Sequence, residues 1–313
     1  MADMDSQDDL VQGLELSLEK VTRTLIPEMT TFGAIYYPEG NPNRTEAYLD
    51  WLCVQNPAGA AIAVVIRDRG TMVGLALLVP LVLDHAGKAL QAYFAVNVLT
   101  HPDYRNRRLF SRIIDATKEF CSQNGTVLLG HPNAAALAGW TRKEMQFRSP
   151  LVPALAGLSL GVGRRVDVPS SKPDFVRVWE RVLRALPESG GEAATIRRST
   201  DFMWWRFFAR PDRPYRLAVD QRKGGGIDGF FVTRSFRRGV ALMVDHGAAV
   251  SGRGLVSCDR PAIVMLPQEQ ASARVAGVRA WRLPARKQMP FFATVFDGRN
   301  IDFSGITLAA SDF

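Results

Sequence analysis

Apolar and polar positions switch between helical and strand spacing along this chain. Thr45–Val54 (TEAYLDWLCV) repeats its apolar side chains at helical spacing, and Asn56-Pro57 stops the run. Ala61–Ile66 is a short apolar stretch, Asp68-Arg69-Gly70 is a turn, and Met72–Leu83 is a second apolar run, so the three predict a β-hairpin. Ala89–Thr100 predicts a third strand. From Leu109 to Ser122 the period becomes helical, with Leu109, Ile113, Thr117, Phe120 and Cys121 on one face, and Asn124-Gly125 ends the helix. Thr126–Gly130 predicts a short buried strand and Asn133–Met145 a further helix. Leu10–Ile26 has loosely helical spacing and is expected to be a helix. This order predicts a mixed α/β (α+β) layer over residues 1–150.

Residues 151–173 lie in a stretch rich in Pro, Gly and Ser with little periodicity, which reads as a linker. Asp174–Leu186 is then strongly amphipathic, and residues 174–313 read as a second domain. That domain echoes the first. Tyr48-Leu-Asp-Trp51 with Pro57 returns as Phe202-Met-Trp-Trp205 with Pro211, 154 residues later in both cases. Each Pro is followed by an apolar strand (Ala61–Ile66; Tyr215–Val219), a polar turn (Asp68–Gly70; Gln221–Gly226) and a second strand. Four elements in one order at nearly one offset predict two related domains.

Composition narrows the classes without choosing among them. With 47% hydrophobic and 22% charged residues, the 313-residue chain is neither disordered nor fibrous. The longest apolar run, Met72–Leu83, has 12 residues, too short to span a bilayer, and no membrane role is expected. The start carries four Asp where a secretory signal needs positive charge, and the three cysteines (Cys53, Cys121, Cys258) are odd in number with no C-x-x-C spacing. A cytoplasmic protein is expected. Histidines 85, 101, 131 and 246 are widely spaced, so no metal site is expected. The net charge of +8 divides unevenly: −6 over residues 1–100, +4 over 101–150 and +10 beyond. The basic part is compatible with an anionic ligand. Its Arg residues do not interleave with aromatics as in base-stacking surfaces, so no nucleic-acid partner is expected.

The chemistry concentrates between Asn97 and Arg112 (NVLTHPDYRNRRLFSR). A strand runs into a turn carrying Arg105, Arg107 and Arg108, and the turn opens a helix. The first N–H groups of a helix lack partners and sit at the positive end of its dipole, which suits a phosphate. Neighbouring guanidiniums add charge-assisted hydrogen bonds. A phosphorylated cofactor at residues 105–110 is the expectation.

Val98-Leu-Thr-His-Pro-Asp-Tyr-Arg-x-x-x-Leu-Phe110 resembles the acyl-CoA-binding signature of the GNAT acetyltransferase superfamily, and Gly130-His-Pro-Asn133 through Phe147 resembles that family's second half. The resemblance covers about residues 45–148 and is weaker over 200–313, where tandem members carry a degenerate copy. It implies two tandem GNAT-like mixed-sheet domains, the first binding acetyl-CoA or another acyl-CoA and the second without a cofactor. Val98, Leu99 and Thr100 would hold the pantetheine arm, and Arg105, Asn106, Arg107, Arg108, Leu109 and Phe110 the pyrophosphate. Asn133 would follow a strand that splays to admit the arm. The family's turn is usually glycine-rich. Here Asn106 is expected to tolerate a positive φ, while Arg108 puts a long side chain where Gly is usual. Where many members carry an acidic Tyr this chain has Trp140, which has no acidic proton.

The implied activity is direct N-acylation of a small-molecule amine, in tandem members an amino sugar linked to a nucleotide. That reaction needs a base near the amine and a donor for the oxyanion. His131, at the end of a strand facing the splay, and His101, in the turn, are candidate bases, with Asp245-His246 a further candidate from the second half. The alternative is a GNAT-like module that has lost catalysis and senses acyl-CoA or binds a partner.

Overall fold

The structure is a computed structural model describing residues 13–156, 164–167, 171–186, 192–221, 224–237, 239–248, 261–268, 274–275, 278–284 and 288–306. Cys258 and residues 10–12 therefore lie outside the described residues. The chain divides into two compact units, one of residues 1–81, 91–147 and 292–299, the other of 82–90, 148–291 and 300–313.

The first copy begins with β1 (Leu14–Lys20), not with a helix. Leu14, Leu16 and Leu18 alternate with Glu15, Ser17 and Glu19, and this period of two places the segment antiparallel to β2 (Ile62–Asp68). The first helix, α1 (Ile26–Gly33), starts only where Pro27 fixes a helical φ in the first turn. Next come α2 (Glu46–Cys53), β2, β3 (Thr71–His85) and β4 (Lys88–Thr100). A 3₁₀ turn (Pro102–Arg107) leads into α3 (Leu109–Gln123), followed by β5 (Val127–Gly130) and α4 (Ala134–Arg142). The strands lie in the order β1-β2-β3-β4-β5, antiparallel in the β1–β2–β3 part and parallel from β4 to β5. Leu109, Ile113, Ile114 and Cys121 of α3 bury against Val64, Ile66 and Val73 of the hairpin, which is the face its periodicity marks.

The second copy repeats this plan. The supposed linker holds residues 151–156 of β6 (Phe147–Ala156) and all of β7 (Arg164–Asp167). Its prolines conceal the strands from a periodicity reading, since Pro removes a ladder donor; Pro153 keeps its carbonyl, which accepts from Leu283 N at 3.0 Å. Then follow α5 (Lys172–Ala185), β8 (Thr195–Ile196), α6 (Thr200–Phe207), β9 (Arg216–Gln221), β10 (Ile227–Arg237), β11 (Val240–Ala248) and β12 (Ala262–Pro267). β9 pairs antiparallel with β7 and β10, β10 antiparallel with β11, and β11 parallel with β12.

The duplication is close in detail. Both bounds of α6 are those of α2 shifted by 154 residues. Thr45 and Ser199, at equivalent positions, cap the two helices by accepting from Tyr48 N (3.4 Å) and Phe202 N (3.2 Å). Buried Tyr48, Leu49, Trp51, Leu52 and Cys53 match buried Phe202, Met203, Trp205, Arg206 and Phe207.

After each copy the chain completes the other unit's sheet. Leu151–Ala156 of β6 pairs antiparallel with β12 in the second unit. The last strands are β13 (Arg274–Val275), β14 (Val278–Arg282), which pairs with β6, and β15 (Met289–Thr294). Phe292–Thr294 of β15 pairs antiparallel with β5 in the first unit.

Candidate active site

β4 pairs with β5 only from Ala92↔Val127 to Ala95↔Gly130. β5 then ends, while β4 continues to Thr100. The parallel pairing therefore stops at Ala95, and β4 runs on past the end of β5. No side chain from Ala95 to Thr100 is fully buried although Ala95, Val96, Val98 and Leu99 are apolar, so apolar surface is partly exposed along this stretch.

The kink in β4 has a specific cause. Asn97 takes a left-handed φ of 50°. Tyr37 Oη donates to its Oδ1 at 2.9 Å, and its Nδ2 donates to Asn43 Oδ1 at 2.9 Å. Asn is among the few residues that tolerate this backbone. The segment between α1 and α2 thus clamps β4 where it leaves β5. Beside this clamp Tyr36 is half-buried, with a buried hydroxyl that has no hydrogen-bond partner. Burial pushes its phenol up to about 12, opposed by the positive charge of Arg105. A phenol so shifted stays protonated at neutral pH and has its O–H to donate.

The arginine-rich turn follows β4. His101 N donates to Val73 O at 2.8 Å, and its Nδ1 accepts from Asp103 N at 3.3 Å, so this imidazole caps the 3₁₀ turn. Tyr104 Oη donates to Asp68 at 2.5 Å, and the Arg107 guanidinium lies 4.7 Å from the Tyr104 ring centre. Arg108, rather than Asn106, carries the left-handed backbone, with φ 55° and ψ 19°. It is also the N-cap of α3, whose first turn has neither a side-chain cap nor an acidic residue. The α3 start therefore presents backbone N–H groups beside Arg105, Arg107 and Arg108, an arrangement suited to phosphate oxygens.

The far wall comes from β5 and α4. His131 follows β5 and packs its ring 5.6 Å from that of Phe94. Asn133 Oδ1 accepts from Ala136 N at 2.8 Å, so its side chain caps α4. Trp140 is buried in the core, 4.7 Å from the Phe292 ring and 6.2 Å from that of Phe110. Its position is structural, in line with its lack of an acidic proton. Gly139 lets α4 approach Phe110, since a Cβ there would lie 2.2 Å from Phe110 Cε1.

Asp245 and His246 belong to the second unit. The fully buried Asp245 carboxylate accepts two bonds from Arg198, at 2.9 and 2.8 Å, and a third from His246 N at 2.9 Å. Burial pushes the His246 imidazole down to about 4, against the opposing charge of Asp245. Tyr36, Tyr37, Asn43 and Asn97 were not marked by sequence reasoning; an Asn inside an apolar strand was the one available sign.

Among the described residues no group of His, Cys, Asp and Glu is placed to hold a metal ion, and no helix is long and apolar enough to cross a membrane. Residues 41–137 match the family model of the acetyltransferase (GNAT) domain. No curated protein matches the sequence. Among solved structures, the fold is similar to a probable N-acyltransferase of unknown function from Enterococcus faecalis V583, at 12% identity and a TM-score of 0.62 over 90% of this chain and 73% of that one. A GCN5-related N-acetyltransferase from Kribbella flavida is similar at 15% identity and a TM-score of 0.61, over 91% and 72%. A tandem GNAT protein from the clavulanic acid biosynthesis pathway is similar at 13% identity and a TM-score of 0.57, over 91% of this chain and all of that one. Residues 41–137 are thus matched by the acetyltransferase (GNAT) domain model, within a fold similar to that of a tandem GNAT protein.

Proposed function

We propose that this protein transfers an acyl group from acyl-CoA directly to the amine of a small molecule, with one CoA bound to the first copy. The observation that carries the reading is that β4 runs past the end of β5 at Ala95 and leads into an arginine-flanked helix start. In this reading the pantetheine arm lies along Val98–Thr100, which offers apolar contact and strand backbone. The pyrophosphate meets the N–H groups of Leu109 and Phe110, with Arg105, Arg107 and Arg108 around it and Asn106 in the turn. CoA supplies the activated thioester; the chain supplies position and proton handling.

The second copy is read as cofactor-free. Thirteen residues join β11 to β12, against 26 between β4 and β5, where the turn and α3 lie. We assign Asp245 to that copy's folding, because its carboxylate already holds Arg198. His246 is neutral at physiological pH and shares this assignment.

His131 is the proposed base, standing where β5 ends at the splay. It takes the ammonium proton of the acceptor, directly or through water, so that the neutral amine attacks the thioester carbonyl. The C–N bond forms, the attacking nitrogen releases its extra proton to solvent, the tetrahedral oxyanion collapses and the C–S bond breaks. Tyr36 is the proposed donor to the departing sulfur, in the role Trp140 cannot fill. The experiment is CoA release measured by a thiol reagent over a panel of amines with acetyl-CoA. His131→Ala should lower kcat by about 10²–10⁴-fold with CoA affinity retained, and Tyr36→Phe should lower kcat with KM little changed. Turnover per folded molecule unchanged in His131→Ala would refute its role.

The buried Trp140 favours one other reading, a module that binds acyl-CoA without transferring it. CoA binding with no turnover of any amine separates it from the first.

A further inference from the structure

The proposed donor Tyr36 lies on a stretch of chain that apolar burial does not hold. Between Gly33, which ends α1, and Tyr48 in α2 no residue is fully buried. Segments without buried side chains open locally at little cost. Yet a proton donor must be placed closely, since a misplacement of about 1 Å can cost about 10²-fold in rate. Tyr36 is half-buried and its buried hydroxyl has no hydrogen-bond partner, so its position has to come from its neighbours.

A chain of side-chain hydrogen bonds holds the stretch, with every donor pointing the same way. Tyr37 Oη donates to Asn97 Oδ1 at 2.9 Å, Asn97 Nδ2 to Asn43 Oδ1 at 2.9 Å, and Asn43 Nδ2 to Asn41 Oδ1 at 3.2 Å. Asn41 Oδ1 also accepts from Asn43 N at 2.9 Å, which caps the 3₁₀ turn Pro42–Arg44. Asn97 and Asn43 each spend the amide oxygen as acceptor and the amide nitrogen as donor, so turning either amide over breaks a bond on both sides. Bonds joined head to tail also polarise one another. Arg44 Nη1 donates to Tyr37 O at 3.4 Å, which returns the chain to the residue where it begins.

Asn97 is the member of this chain that lies off the stretch. It stands on β4 at its left-handed φ of 50°, next to Val98, where the arm-binding residues of the acyl-transfer reading begin. All of these residues belong to the first unit. Tyr36 is fixed beside this tie. Its ring meets that of Phe32 in α1 edge-on at 5.6 Å, and Tyr37 follows it directly. Tyr36 N and Tyr37 N both donate to Gly33 O at 3.0 Å, so the two tyrosines share one backbone turn.

We infer that Tyr37 and Asn97 are positioning residues: their hydrogen bond ties the turn that carries Tyr36 to the cofactor strand, and so sets the Tyr36 hydroxyl for the departing sulfur. This role rests on the acyl-transfer reading and adds to it two residues that act through a third. It has a particular signature. Tyr37→Phe keeps the ring and leaves β4 unaltered, but it cuts the tie. With no fully buried side chain on the stretch, the loss falls on turnover and on local opening rather than on global stability. A merely structural pair would lower stability and leave turnover per folded molecule alone.

The test uses the full chain, Tyr37→Phe, Asn97→Gly, Tyr36→Phe and the Tyr36→Phe/Tyr37→Phe double variant. CoA release from acetyl-CoA is measured with the amine of the panel that turns over fastest, and hydrogen exchange is followed without ligand. Tyr37→Phe should lower kcat about tenfold or more, with KM for acetyl-CoA within about twofold and Tm within about 3 °C. In the Tyr36→Phe background it should lower kcat no further, because the group it positions is gone. Amides of residues 34–47 should exchange about tenfold faster in Tyr37→Phe and in Asn97→Gly, which keeps the left-handed backbone, while those of the β2–β3 hairpin stay unchanged. Should Asn97→Gly fail to fold, Tyr37→Phe decides. Unchanged exchange in residues 34–47, unchanged kcat in Tyr37→Phe, or the same fall in kcat with and without Tyr36 would overturn the inference. No turnover by the unaltered chain would refute acyl transfer and this role with it, a result distinct from a fully active Tyr37→Phe.

Discussion

Adding one methyl group at Gly130 probes the end of β5, where its pairing with β4 stops. The Cβ of Gly130→Ala would stand 2.5 Å from Phe292 Cζ and 2.7 Å from its Cε1, about an ångström inside ordinary carbon contact. The ring cannot swing aside freely. Trp140 lies 4.7 Å from it and Phe147 5.9 Å, and Phe292 is itself backbone-paired with Gly130. Overpacking a fixed site costs about 1–3 kcal/mol. For a unit of this size that lowers Tm by about 2–4 °C per kcal/mol. Phe292→Leu removes the obstructing ring atoms, so the double variant should be less destabilised than the sum of the single ones, by at least 0.5 kcal/mol or so. Differential scanning fluorimetry on the four proteins of the cycle measures this. Gly130→Ala with an unchanged Tm, or strictly additive effects, would mean that β15 does not pack on β5 as described.

The other expectations are more local. Arg108→Gly should raise stability by about 0.5 kcal/mol, because the left-handed backbone costs a non-glycine residue about 1 kcal/mol, partly offset by glycine's greater freedom when unfolded; a denaturant midpoint that falls would contradict it. His246 titrates near 6.5 when unfolded and at about 4 when folded, so the unfolded chain binds the extra proton in that window. The stability it contributes is full above pH 6.5 and is lost as pH falls toward 4, by an amount on the order of 3 kcal/mol. His246→Phe should flatten the pH–Tm profile between those values, and an unaltered slope would refute the assignment.

Much of the fold is written in local pattern. Helices α2, α3, α5 and α6 and the β2–β3 hairpin have clean periods, caps and stops, and the 154-residue offset between Trp51 and Trp205 survives as two helices with identical shifted bounds. Where pattern failed, a competing signal masked it. The LELSLE alternation of β1 was diluted by the helical spacing around it, and Pro150 and Pro153 made β6 resemble a linker. Exchange of the closing strands, β6 to β12 and β15 to β5, has no local trace, because pairing such as Gly130 with Phe292 spans 162 residues. The site divides in the same way. Strand, arginine turn and helix were legible because they are contiguous. The Tyr37–Asn97–Asn43 clamp was not, since its members are 54 to 60 residues apart. Positive φ was expected to be tolerable at Asn106 on residue preference alone, whereas the structure has it at Arg108, the cap position.

The central claim is that one copy, and only the first, holds acyl-CoA at the α3 start. Isothermal titration of the full chain with acetyl-CoA tests it directly, beside the Arg105→Glu/Arg107→Glu double variant with its folding checked by circular dichroism. The account predicts one CoA per chain, with affinity in the double variant reduced by about 1.5–3 kcal/mol for each charged hydrogen bond lost. Two CoA per chain, no binding, or unchanged affinity in the folded double variant would contradict it.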